Sequence, residues 1–319
     1  MKILANDGIS ASGQKTLEQA GFTVVTDKVA QENLAEAINR EGYVALLVRS
    51  ATTARKELID ACPGLKLIGR GGVGIDNIDH AYARSKGIAV VNTPAASSGS
   101  VAELVMAHMF SLARQLHDSN RRMPNEGETH FDALKKKYGK GSELRGKTLG
   151  IIGFGKIGQS LASYALGCGM HVIGIDIEEG TKSLALEIDG YGTLQVSVPV
   201  RKLRDVLGIC DIFSLHVPKQ SDGRAVIGGE EIAQMKRGVL LLNAARGGSI
   251  QEDALLNALN SGQVAGAGLD VYENEPVPRK ELLVHPNISL SPHIGAATSE
   301  AQDRIGTELA GLVINFFGK

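Results

Sequence analysis

With 319 residues, 43% of them apolar and 22% charged, the chain is long enough for two ordinary globular domains of about 150 residues each. Its 34 Lys plus Arg balance 35 Asp plus Glu, which excludes a general nucleic-acid or acidic-membrane surface. Three scattered cysteines (Cys62, Cys168, Cys210) exclude a disulfide framework or a zinc cage, and with no roughly 18-residue apolar run and no apolar leader after Met1 the expectation is a cytoplasmic protein without a metal or a membrane span.

Short β-branched runs alternate with helical patterns. In the first hundred residues the sequence predicts strands at 2–5, 22–25, 44–48, 65–68 and 88–91, with helices such as 31–40 and 55–61 between them. A βαβα order of this kind implies a mostly parallel sheet covered by helices on both faces. Asn92-Thr93-Pro94 and the cluster Ala95-Ala96-Ser97-Ser98-Gly99-Ser100 mark a join and a helix start. The helix that follows, 101 to about 116, carries apolar residues on most faces. Residues 121–141 are polar, Lys-rich and aperiodic, and read as a long loop. From about Gly146 the alternation restarts, with strands at 148–152, 171–175, 212–216, 239–243 and 264–269. A last helix, 300–317, follows once the second sheet is complete, and is placed back on the first domain. The expected fold is therefore α/β with two doubly wound parallel-sheet domains: 1–98 with 291–319, and 99–290 inserted between them.

Glycine is unusually frequent, 39 of 319 residues against a typical ~7%. Two copies of G-x-G-x-x-G account for part of the excess. Gly153-Phe154-Gly155-Lys156-Ile157-Gly158 follows a predicted strand, opens a predicted helix, and has Asp176 at the end of the next strand. That context turns a weak pattern into a dinucleotide-binding fingerprint. Gly153 makes the tight turn, Gly155 lets backbone approach a pyrophosphate, and Gly158 allows close helix–strand packing. Asp176 would accept from ribose hydroxyls and repel a 2′-phosphate, favouring NAD over NADP. The other copy, Gly69-Arg70-Gly71-Gly72-Val73-Gly74, lacks the acid. Its backbone donors around Arg70 suit a carboxylate or phosphate, or simply make a tight turn.

Three late segments carry candidate chemistry: Asn243-Ala244-Ala245-Arg246-Gly247-Gly248, then Leu269-Asp270-Val271-Tyr272-Glu273-Asn274-Glu275-Pro276, then Ser291-Pro292-His293-Ile294-Gly295-Ala296. Arg246 and Asp270 fall at strand ends, where open α/β sheets place their ligands. An Arg offers a planar fork to a carboxylate, and a His beside a carboxylate is a proton donor and acceptor near neutral pH. Each also has a bland alternative: a salt-bridged strand cap for Arg246, an exposed turn acid for Glu275, a structural loop imidazole for His293. The other histidines have no comparable setting, and His108 and His117 read as packing residues.

The run from Gly146 to Ala297 resembles the D-isomer-specific 2-hydroxyacid dehydrogenase family. Leu47-Val48-Arg49-Ser50-Ala51-Thr52, the stretch Gly69 to Asp79, and Pro292-His293-Ile294-Gly295-Ala296 narrow the resemblance to the branch that acts on 3-phosphoglycerate, over essentially the whole chain. The resemblance implies a flavodoxin-like substrate domain built from both termini, a Rossmann NAD-binding domain inserted into it, and an active site in the interdomain cleft. It implies a phosphorylated 2-hydroxy or 2-keto acid as substrate and a homodimer contact near the long helix and the segment after it. It also assigns roles. Arg246 binds the substrate carboxylate and carbonyl, His293 is the acid/base, and Glu275 stabilises its protonated form. The nicotinamide-site contacts fall on Ala244, Ala245, Arg246 and Asp270, the phosphate contacts on Lys156 and Ile157, and further cofactor contacts on Val217, His293, Gly295 and Ala296. Arg49, Ser50, Arg70 and Gly71 match substrate contacts. Val73 and Val217 stand where many relatives carry Thr, so side-chain hydroxyl contacts are lost there. Longer relatives add a regulatory domain, and a sequence ending at Lys319 is expected to be a short form without one. Alternative activities within the resemblance are glyoxylate or hydroxypyruvate reduction. A different class, the NAD-sensing transcriptional corepressor, shares the fold.

Overall fold

The β-branched runs of the first hundred residues form β1 (Lys2–Ala5), β2 (Thr23–Val25), β3 (Tyr43–Val48), β4 (Leu67–Arg70) and β5 (Ala89–Asn92). In this computed structural model, which describes residues 1–220 and 222–318, they pair in the order β2-β1-β3-β4-β5, all parallel. That is the flavodoxin-like order. Side chains alternate across a strand, so neighbouring apolar residues supply both faces. Leu4, Leu46 and Ile68 enter one core with Ile38 and Ile59, while Ile3, Leu47 and Leu67 enter the other with Leu17, Leu309 and Val313. The second core contains the last helix, Ser299–Phe317, which packs on the helix Ala11–Gln19. The two backbones touch at paired glycines: a Cβ on Gly13 would lie 2.6 Å from the Gly306 carbonyl.

The second sheet contains β6 (Thr148–Ile152), β7 (His171–Ile175), β8 (Gly180–Ile188), β9 (Gly192–Arg201), β10 (Ile212–Leu215), β11 (Val239–Asn243), β12 (Val264–Leu269) and β13 (Ile288–Leu290). Their order is β13-β12-β11-β10-β6-β7-β9-β8, parallel except for β8. Within it the six parallel strands β9-β7-β6-β10-β11-β12 take the dinucleotide-binding order, with its reversal of winding between β6 and β10, and β13 adds a seventh parallel strand at the edge. The central strands are apolar on both faces because helices cover both; all four residues of β10 are buried.

Three features depart from the sequence reading. Residues 121–141 are not one long loop: 121–126 and 131–138 belong to the helices Leu116–Glu126 and Phe131–Tyr138, with short connections at 127–130 and 139–141. The pair is held by buried Asp118, which accepts from Lys137 Nζ at 2.5 Å and Tyr138 Oη at 2.8 Å and pairs with Arg122. An ionic seam leaves little apolar periodicity to detect. The hairpin β8–β9 and the short strand β13 were not expected. Finally, the compact units are Met1–Ser100 with Ala296–Lys319, and Val101–Gly295. Ser291–Gly295, expected with the first domain, packs with the second because Asp270 accepts from Ser291, Ile294 and Gly295. Among the described residues no helix is long and apolar enough to cross a membrane.

Candidate active site

At the reversal of winding, β6 ends in the glycine loop and the helix Lys156–Gly167 begins. Gly153 has φ 88, and a Cβ there would sit 2.4 Å from the His216 carbonyl at the end of β10. A Cβ on Gly158 would meet the Gly153 carbonyl, also at 2.4 Å. Both positions therefore exclude any side chain. Gly155 differs, with nothing within 4 Å of its would-be Cβ. It is the N-cap, no side chain caps the helix, and the first turn carries no acid. The unsatisfied amides of that turn face no competing anion, which is the requirement for a pyrophosphate. Asp176 follows β7 and reaches back to the loop: Oδ2 accepts from Phe154 N at 3.0 Å and Oδ1 from Ile177 N at 2.8 Å. Each oxygen keeps a second lone pair for a ribose hydroxyl. Val217 lines the same loop, its Cγ1 3.0 Å from the would-be Cβ of Gly153. Glycines, helix start and acid together fit NAD.

The turns after β11, β12 and β13 carry the remaining candidates. Asn243 staples the first: its Nδ2 donates to Arg246 O at 2.9 Å and its Oδ1 accepts from Ala245 N at 3.1 Å. Arg246 Nη1 donates to Ala245 O at 2.7 Å, which fixes one arm of the guanidinium. Gly247 lies against the next turn, where a Cβ would be 1.8 Å from the Tyr272 carbonyl. Tyr272 then ties the second turn to the third. Its amide donates to Glu275 Oε1 at 2.9 Å, and its hydroxyl donates to Leu269 O and Ser291 O. Burial pushes the Tyr272 phenol up to about 12, so it remains a donor at any working pH.

Glu275 Oε2 lies 2.8 Å from His293 Nδ1. An ionised carboxylate only accepts, so Nδ1 carries the proton, and Nε2 is the ring atom left for chemistry. The imidazole is exposed, while Glu275 is about one-third exposed, 35% of its side chain. His293 has φ 57, a left-handed conformation that non-glycine residues hold only when their surroundings impose it. The imposition comes from Asp270, whose oxygens accept from Ile294 N and Gly295 N, each at 2.9 Å.

In the first unit, Arg49 and Arg70 stand at the carboxyl ends of neighbouring strands β3 and β4. The turn after β3 is clamped by Asp7, which accepts from Arg49 N, Thr52 N and Thr52 Oγ1, and by Asn77, which donates to the carbonyls of Arg49 and Thr52. Arg70 folds over its own glycine-rich turn, with Nη1 where a Gly72 Cβ would be. Gly71 is buried and Ser50 exposed. The sequence reading missed Asp7, Asn77, Asn243, Tyr272 and Ser291 as supports. Asp and Asn next to strand ends were the available signal; Tyr272 and Ser291 gave none.

A family model described as the NAD-binding domain of D-isomer-specific 2-hydroxyacid dehydrogenases matches residues 106–295. The chain is 44% identical to a hydroxypyruvate reductase of Thermotoga maritima over 99% of its own length and 98% of that protein. It is 40% identical to a D-3-phosphoglycerate dehydrogenase of Methanocaldococcus jannaschii over 97% of its own length, but spans only 56% of that relative. Among solved structures, D-lactate dehydrogenase from Aquifex aeolicus in complex with NAD and lactic acid superposes with a TM-score of 0.76 at 28% identity, covering 100% of this chain and 96% of that one. The cradle built at Gly153–Gly158 and a match over more than half the sequence lead to one conclusion: the chain belongs to the NAD-dependent D-isomer-specific 2-hydroxyacid dehydrogenases.

Proposed function

We propose that this dehydrogenase interconverts 3-phosphoglycerate and 3-phosphohydroxypyruvate in the cytoplasm, the opening reaction of serine synthesis. The observation that carries the reading is the pair Arg49 and Arg70, set at adjacent strand ends of the first unit. A substrate with a carboxylate at one end and a phosphate at the other needs cationic groups for both, and Arg246 can serve only one. In this reading Arg246 holds the carboxylate and carbonyl, while Arg49, Ser50, Arg70 and Gly71 receive the phosphate. NAD is held by Gly153, Gly155, Lys156, Ile157 and Gly158 at its pyrophosphate, by Asp176 at its ribose, and by Val217, Ala244, Ala245, Asp270, Gly295 and Ala296 toward the nicotinamide. Bound NAD supplies the two-electron redox chemistry. His293 supplies the proton: protonated, it donates from Nε2 to the developing alkoxide during reduction; neutral, it accepts the hydroxyl proton at Nε2 during oxidation. Glu275 stabilises the charged imidazole and fixes its ring.

A second reading, reduction of hydroxypyruvate itself, is favoured by the full-length relative of that name. Comparing kcat/KM with NADH for phosphohydroxypyruvate, hydroxypyruvate and glyoxylate separates the two. Loss of a charged hydrogen-bond donor costs ~1.5–3 kcal/mol, roughly 10- to 100-fold. Arg49→Ala or Arg70→Ala should lower kcat/KM by that factor for phosphohydroxypyruvate and leave hydroxypyruvate nearly unaffected. A wild-type enzyme that prefers either unphosphorylated acid establishes the reductase instead.

The proposed assembly is a homodimer. Phe110, Leu116, Met123 and Phe131 are large, exposed and confined to one stretch of the second unit. Sedimentation of wild type against Phe131→Glu checks this, with dissociation expected in the variant.

A further inference from the structure

One buried polar chain in the second unit leads to Asp270 from a residue, His108, that has no part in the chemistry described above. His108, on the helix Ser98–Ala113, is 6% exposed, and both ring nitrogens are engaged: Nδ1 with Ser289 Oγ at 2.8 Å and Nε2 with Ser291 Oγ at 2.9 Å. Ser291 Oγ in turn donates to Asp270 Oδ1 at 2.6 Å. Having given its proton to the carboxylate, Ser291 must accept from His108, so Nε2 carries the imidazole proton and Nδ1 accepts from Ser289. The direction of every bond is thus fixed, running from Ser289 through His108 and Ser291 to Asp270. Burial holds the His108 imidazole below the ordinary histidine range, consistent with a neutral ring in one tautomer. The opposing strand is shaped for this ring. A Cβ on Gly268 of β12 would meet His108 Cβ at 2.9 Å and Cγ at 3.1 Å.

Asp270 is 1% exposed and receives three donors: Ser291 Oγ, Ile294 N and Gly295 N. The last two amides directly follow His293. A carboxylate buried this deeply must keep all its partners, and its own rotamer decides whether the two amides stay captured.

We propose that His108 and Ser291 are positioning residues that lock Asp270 against the turn after His293, holding the acid/base in its left-handed conformation. The proposal rests on the reading of His293 as the acid/base. His108 touches no reacting atom; it acts through two intermediaries.

Three variants test the lock: Ser291→Ala removes the hydroxyl, His108→Leu removes both ring nitrogens, and His108→Gln restores a donor where Nε2 stood. The direct readout is amide hydrogen exchange at Ile294 and Gly295 in the ligand-free protein, with kcat and the NADH dissociation constant measured beside it. Ser291→Ala and His108→Leu should each speed exchange at both amides about tenfold and lower kcat by a similar factor. The double variant should do no worse than either single one, because both act through Asp270. His108→Gln should recover most of both quantities. If His108→Leu does not fold, Ser291→Ala carries the test alone. Exchange and kcat within twofold of wild type in Ser291→Ala overturn the proposal, as does a His108→Gln enzyme no better than His108→Leu. A wild type without turnover on any 2-keto acid defeats the dehydrogenase reading instead, and the exchange measurement still reports on the lock.

Discussion

Tyr272 N holds Glu275 Oε1, and Glu275 Oε2 faces His293 Nδ1, and this arrangement dictates what a single atom change does. In Glu275→Gln the amide oxygen must stay on the Tyr272 side, where it accepts, so the amide nitrogen turns toward the imidazole. A donor there forces the neutral ring into its Nε2–H tautomer, which cannot take a proton from substrate. Oxidation should therefore fall ~10²–10⁴-fold, the usual worth of a positioned acid/base. His293→Asn should cost the same range in both directions while leaving the NADH dissociation constant within a few-fold of wild type. Steady-state rates with fluorescence titration of NADH check the pair; because both directions share one transition state, kcat/KM should fall equally in each, and a Glu275→Gln enzyme within a few-fold of wild type would show that tautomer control is not the mechanism. In the proposed reading Asp176 would govern cofactor choice by like charge, since a 2′-phosphate would meet a carboxylate already turned toward the loop. Asp176→Ala should narrow the preference for NADH over NADPH, mainly through KM.

At the scale of elements, β6, the glycine loop and the helix Lys156–Gly167 form one unit whose spacing is set by Gly158. A methyl there would lie 2.4 Å from a backbone carbonyl that has no rotamer to change. Gly158→Ala should move the helix off the strand, cost ~1–3 kcal/mol in stability, and weaken NADH binding at least tenfold, read by calorimetric titration. This part of the site was legible in advance because glycine spacing and a strand-end acid are local signals. The parallel character of both sheets followed from the βαβ alternation for the same reason, while their strand order did not. The helices around Asp118 were not legible: their shared seam is Asp118 with Lys137, Tyr138 and Arg122, and polar residues in such a seam look like solvated ones in sequence. Their seam gives its own prediction. Asp118→Asn keeps the volume but loses the charge, and should lower the melting temperature by on the order of 2–4 °C for each kcal/mol lost. The hairpin β8–β9 did carry a signal, Asp189-Gly190 between alternating apolar residues, with Gly190 at φ 75. The clamp on His293 had none, because His108, Asp270 and Ser291 are brought together only by the packing of the helix Ser98–Ala113 on β12 and β13.

For the molecule as a whole, acid stability is decided by histidines that fold neutral. Burial lowers His216 to about 4 and lowers His108 as well, from an ordinary value of 6.5. Both belong to the unit Val101–Gly295. Between about pH 6.5 and 4 the unfolded chain binds a proton at His216 that the folded unit does not, and His108, also lowered, acts in the same direction below 6.5, so stability must rise with pH across that window and fall as the solution is acidified. Asp118 and Asp211 act lower on the scale. Burial alone would raise both carboxyls, but Lys137 and Tyr138 at the first, and Thr148 N and Lys236 at the second, hold them below the ordinary 3.8. Their stabilisation is complete above that value and is lost only as pH drops through their folded pKa. Calorimetry from pH 7 to pH 3 should therefore show the transition of the second unit declining below about 6.5 through the histidines, with the carboxyl contribution lost only below about 3.8. Saturating NAD should raise that same transition, because a ligand bound only by the folded unit stabilises it by mass action. His216→Gln removes one of the two imidazoles and should flatten the upper part of the decline without touching the lower part. A melting temperature that stays constant from pH 7 to pH 4.5, or a His216→Gln profile parallel to wild type, would mean these rings are already protonated in the folded protein.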